Sequence, residues 1–76
     1  MIETMQVRIH GVTDAALFVE HAKEAKEDVI IRRGKFYVDG KSILGVLSLD
    51  MADGVLVEYN SDDKDFEDWL KKFKVR

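Results

Sequence analysis

The chain has 76 residues, 15 acidic against 12 basic side chains for a net charge of −3, and 46% apolar residues. This length supports one core, hence a single domain over residues 1–76, and the apolar fraction sets it apart from a disordered chain. The acidic balance argues against a nucleic-acid partner. The absence of cysteine removes disulfides and thiolate metal sites, and no apolar run approaches the ~20 residues of a membrane helix. With no secretory signal pattern, a cytoplasmic location is expected. Along the chain, Met5, Val7 and Ile9 alternate with Gln6, Arg8 and His10, the period of a half-buried strand. Gly11-Val12 breaks that pattern, and Thr13 or Asp14 is the expected cap of a helix running to about Lys26. Its buried stripe is Ala15, Phe18, Val19, Ala22 and Ala25, with Glu20, Lys23, Glu24 and Lys26 facing water. Residues 28–33 and 35–39 form a hairpin about Arg33-Gly34. A short helix within Lys41–Leu49 follows Asp39-Gly40, with Ser42 at its cap. Residues 50–54 form a loop, and Val55, Val57 and Tyr59 alternate in a fourth strand. Ser61 is the expected cap of a last helix. There Phe66, Trp69, Leu70 and Phe73 share a face, acids lie at the start and Lys71, Lys72 and Lys74 at the end. The order β-α-β-β-α-β-α predicts an α+β fold, one antiparallel sheet covered on one face by helices.

The segment Lys41-Ser42-Ile43-Leu44-Gly45-Val46-Leu47-Ser48-Leu49 is apolar on nearly every side. Adjacent helical positions point about 100° apart, so these aliphatic side chains cannot all lie on the sheet. Some must stay exposed beside Ser42, and exposed apolar patches often mark interaction sites. The segment resembles the second-helix signature of HPr, the histidine-containing phosphocarrier of the bacterial sugar phosphotransferase system: Lys-Ser-Ile-Met/Leu-Gly-Val/Leu-Met/Leu-Ser-Leu. The resemblance extends in outline over almost the whole chain. It implies an open-faced β-sandwich of four antiparallel strands with three helices on one face. It also implies that Ser42 is the serine a dedicated kinase phosphorylates in many members. On its residues alone, Ser42 reads as a helix cap, and the two roles are compatible. Lys41 is placed to pair with a phosphate there, and Asp39 to oppose one.

The resemblance fails at the family's catalytic motif. There the first strand ends in Gly-Ile-His-Ala-Arg-Pro-Ala, and the His carries a phosphoryl group at the start of the first helix, where backbone N–H groups hold the anion. Ala15-Ala16-Leu17-Phe18-Val19 resembles the family's Ala-Thr-Leu-Leu-Val. Aligned there without a gap, the His slot holds Gly11, followed by Val12, Thr13 and Asp14. Asp14 would repel phosphate. His10 lies one residue before the slot and reads either as a rim histidine or, with a one-residue insertion, as the acceptor. His21 reads as a solvated helical residue. Trp69 and Phe73 read as core, and Ser48 as a structural polar group. The residues 62–65 lack the spacing of a calcium loop and read as a charged helix start.

The expected function is that of an HPr-like interaction or regulatory protein, not a stand-alone enzyme, docking through Lys41, Ser42, Ile43, Leu44, Gly45 and Leu47 with Thr13 and Asp14 at the margin. Gly45, lacking a Cβ, would let a partner approach closely. The partners implied by the resemblance are enzyme I, the serine kinase or a transcriptional regulator of sugar use. No cofactor, metal or membrane insertion is expected. The alternatives are a working phosphocarrier using His10 and a small binding module that kept only the fold.

Overall fold

Met5, Val57, Ile31 and Val38 stand in one row across four antiparallel strands in a computed structural model of the chain, which describes residues 1–75. The strands are β1 (Ile2–Val7), β2 (Ile30–Arg33), β3 (Phe36–Asp39) and β4 (Val55–Asn60), in the order β1-β4-β2-β3. The next row, Gln6, Leu56, Arg32 and Tyr37, points to the opposite face and is exposed throughout. That alternation follows from the period of two, and it produces one apolar and one solvated face. The helices α1 (Gly11–Glu24), α2 (Ile43–Ser48) and α3 (Lys64–Leu70) supply the cover for the apolar face. Single 3-10 turns lie at Met51–Asp53 and Lys71–Phe73. This is the expected α+β architecture, an open antiparallel sheet with three helices.

Phe18, Val19 and Ala22 of α1 are buried, as are Val46 of α2 and Phe66 and Leu70 of α3. Phe18 and Phe66 meet edge-to-face with ring centroids 6.0 Å apart, a favourable aromatic geometry. Ala25, the expected end of the α1 stripe, is the C-cap of the helix and only partly buried. Trp69 and Phe73, expected in the core, are half-buried and pack against it from the rim. Gly34, at φ +59, allows the β2–β3 turn. Gly40 is fixed by space: a Cβ there would lie 2.8 Å from Val29 Cγ1 and 2.9 Å from the Val29 carbonyl oxygen. The backbone can therefore pass from β3 into α2 directly against Val29.

Two element starts differ from the sequence reading. The α3 cap is Asp63, whose carboxylate accepts the Phe66 N–H at 3.1 Å, rather than Ser61. The Ser61 N–H is instead bound to the Met1 carbonyl at 2.8 Å, which holds Ser61 in the turn after β4. The other concerns α1, which begins at Gly11 with His10 at the N-cap, three to four residues earlier than a Thr13 or Asp14 cap allows. The hairpin strands are shorter than expected, beginning at Ile30 and Phe36.

Beyond β1 the chain stays tied to distant segments. Arg8 donates its N–H to the Phe73 carbonyl (3.0 Å) and Ile9 to the Met51 carbonyl (3.1 Å). Val75 donates to Gln6 at 2.8 Å, and Lys74 bridges Val7.

Candidate functional site

The Ile9–Met51 bond explains where α1 begins. It holds the backbone in place immediately after Arg8, so the turn must come at once. Gly11 makes it at φ +80, a value that costs a residue with a Cβ roughly 1–2 kcal/mol. His10 occupies the N-cap with an exposed side chain, and no side chain caps the helix there. The first backbone N–H groups of α1 thus lack intrahelical partners, next to an imidazole. Thr13 is exposed, and Asp14 lies half-buried in the first turn, where a carboxylate suits the helix dipole.

The start of α2 is built differently. Ser42 is its N-cap, and its Oγ accepts the Gly45 N–H at 3.2 Å. Ser48 closes the other end by donating to the Gly45 carbonyl at 2.6 Å. Val46 is buried, whereas Leu44 is 80% exposed, Leu47 46% and Ile43 37%. The aliphatic surplus expected from the sequence is therefore real and lies beside Ser42. Val12, 69% exposed, extends it: with Gly11, Leu47, Leu49 and Asp50 it lines a shallow depression of about 160 Å³ between the start of α1 and the end of α2. Val12 escaped the sequence reading, although one apolar residue in a polar helix start was its signal.

A family sequence model, PTS-HPr, described as "PTS HPr component phosphorylation site", matches residues 10–75. The chain belongs to the HPr family. Its members are phosphocarriers of the phosphotransferase system rather than stand-alone enzymes, and they interact with other proteins of that system. Two solved HPr structures share the fold. One is the phosphocarrier protein HPr from Bacillus anthracis str. Ames, at TM-score 0.72 and 23% identity over 97% of this chain and 98% of that one. The other is HPr-C-His from Thermoanaerobacter tengcongensis, at TM-score 0.67 and 24% identity over 95% of this chain and 88% of that one. No curated protein sequence matches the chain.

Within this HPr-family fold, two residues assigned to the docking surface turn inward. Lys41 sends its ammonium to the Ala25 carbonyl at 2.9 Å. A cation there suits the end of α1, and it is not directed at Ser42. Gly45 gives room to the protein itself: a Cβ would come 3.3 Å from the Val38 Cβ, so its small size helps seat α2 on β3. His21 is also not simply solvated. Its ring stacks on Trp69 with centroids 4.0 Å apart and planes 16° from parallel. On the far side of the fold Tyr59 donates its hydroxyl to Glu67 at 2.6 Å. Burial first, and then Glu67, push the Tyr59 hydroxyl well above its usual value, while the same hydrogen bond holds the Glu67 carboxyl below its own. Among the described residues no three His, Asp or Glu side chains converge as a metal site, and no helix is long and apolar enough to cross a membrane.

Proposed function

We propose that this HPr-family protein works as a regulatory or interaction partner that docks through α2, and not through phosphoryl transfer. The observation that supports the reading is the exposed aliphatic face of Ile43, Leu44 and Leu47, continued by Val12, around a serine at a helix cap. Burying one such side chain against a partner is worth roughly 1.5–3 kcal/mol, enough to anchor a transient contact. The partners are other proteins of the system: enzyme I, the serine kinase or a regulator of sugar use. Thr13 and Asp14 form the margin of the surface. Phosphorylation of Ser42 would place about two negative charges at the patch edge. Lys41 would neutralise them only by leaving Ala25, and Asp39, whose carboxylate accepts the Lys41 N–H, opposes them. The modification would therefore favour partners that bring their own Arg. The test is capture of partners from the native cytoplasm with wild type, Leu47→Lys and Ser42→Asp. Loss of binding in folded Leu47→Lys is expected; unchanged binding of every partner by that variant would sink the proposal.

A second reading, phosphoryl acceptance by His10, draws support from the position of His10 at the uncapped N-cap of α1. Against it stand the residues that follow, Gly11, Val12, Thr13 and Asp14, which supply neither the Arg nor the Pro of the family motif. Incubation with enzyme I and labelled phosphoenolpyruvate separates the two. Acid-labile, base-stable label that is lost in His10→Ala would establish the carrier reading.

A further inference from the structure

At the opposite end of α1 from His10, about 20 Å away along a 14-residue helix, an open groove of about 730 Å³ runs between the end of α1, the segment after it and the start of α3. Its floor is aromatic. Trp69 and Phe66 line it, and His21 lies flat on the Trp69 ring. Its walls carry the carboxylates of Glu24, Glu27, Asp62, Asp63 and Asp65 against two lysines, Lys26 and Lys64.

The acids are not spent within the fold. Asp63 caps α3, but among the described residues Glu24, Glu27, Asp62 and Asp65 enter no ion pair. One of the two lysines is already engaged, for Lys64 pairs with Glu67 at 3.6 Å. The groove therefore presents four carboxylates outside any ion pair, with the Lys26 ammonium among its lining and that of Lys41 at the Ala25 carbonyl on its edge. They do not converge: no three acidic or histidine side chains come together as a metal site, so a compact divalent ion finds no cage. A ligand that answers this pattern carries several cations spaced along an extended body. It also has an apolar part to lie against the aromatic floor, and the stems of Lys and Arg provide that.

We propose that this groove receives a Lys/Arg-rich extended segment of a partner protein. The groove adjoins the start of α2, where Lys41 reaches Ala25, but Val12 and Leu47 lie at the other end of α1, so one molecule can hold a partner at each end of that helix. Charge complementarity at exposed carboxylates speeds encounter and weakens with salt.

The test uses the intact protein and a fluorescein-labelled peptide of alternating Arg and Ala, with an alternating Glu and Ala peptide and free spermine as further arms. The Arg peptide is expected to bind, to shift the amide resonances of His21, Asp62 and Trp69, and to weaken with added salt. The double variant Glu24→Lys/Glu27→Lys changes exposed positions at and beyond the end of α1, where Lys suits the dipole; binding should weaken about tenfold or more in it while circular dichroism is unchanged. Asp62→Asn, outside any helix, serves as an independent variant and should weaken binding by a smaller factor. Equal binding by wild type and both variants, shifts confined to α2 or the hairpin tip, or spermine binding as tightly as the peptide would each overturn the proposal.

Discussion

Helix α1 starts, and α2 ends, at the face formed by Val12 and Leu47, and the two helices start in opposite ways. Before α2 the chain is held from within: Gly40 is pressed against Val29, Ser42 caps the helix, and Lys41 reaches back to Ala25. Before α1 little is satisfied: His10 holds the cap position without capping, and Gly11 supplies a backbone angle that other residues avoid. Segments chosen for stability close their own hydrogen bonds. A segment that leaves donors open gives up stability that a Ser or Asp would restore, and such concessions concentrate where a protein meets something else.

Five substitutions, one of them read in a pH series, would sharpen or break this contrast. Gly40→Ala should be the most damaging, by about 1–3 kcal/mol, because the added Cβ meets Val29 backbone as well as its side chain; a urea melt identical to wild type would show that the approach to α2 is not tightly built. Ser42→Ala should cost about 1 kcal/mol through the lost cap, read from the same melts. His10→Ser should move the other way, raising stability by about 0.5–1 kcal/mol as a cap is supplied; a loss instead would mean that the imidazole already serves the fold. The Tyr59–Glu67 bond provides a reference remote from both starts. The raised hydroxyl value of Tyr59 means that its contribution is complete below about pH 10 and declines as pH rises beyond it. The lowered Glu67 value means that its share is present above the ordinary carboxyl range and declines as pH falls through it. Tyr59→Phe should abolish the alkaline decline in a pH series of thermal melts. Leu44→Gln should change stability least, within about 0.5 kcal/mol, since the side chain is largely solvated.

The parts of this fold that were legible in the sequence are those governed by local period. Val55, Val57 and Tyr59 alternate and are buried; Phe18, Val19 and Ala22 share a helical face and are buried. The crowded aliphatic segment after Ser42 announced an exposed surplus, because a helix cannot turn every side to one sheet. The start of α1 was not legible. Thr13 and Asp14 are good caps by type, and only the bond from Ile9 to Met51 shows why the chain turns at Gly11. His21 on Trp69 and Lys41 on Ala25 join residues far apart in the chain, so no window of sequence holds both partners. The groove is hidden for the same reason, since two stretches far apart in the chain, 21–27 and 60–69, wall it.

The backbone bonds from Arg8 to Phe73 and from Val75 to Gln6 have a consequence for synthesis. The outer edge of the first strand at residues 6–8 is covered by residues 73–75, which are made long after it. While the polypeptide is still emerging from the ribosome, β1 waits with that edge open, and β4, its neighbour on the other side, also arrives late. Closure of that edge therefore waits until residue 75 has emerged, and contacts of such large sequence separation slow folding. Until that closure, the nascent chain exposes the backbone edge most able to pair with another copy of itself.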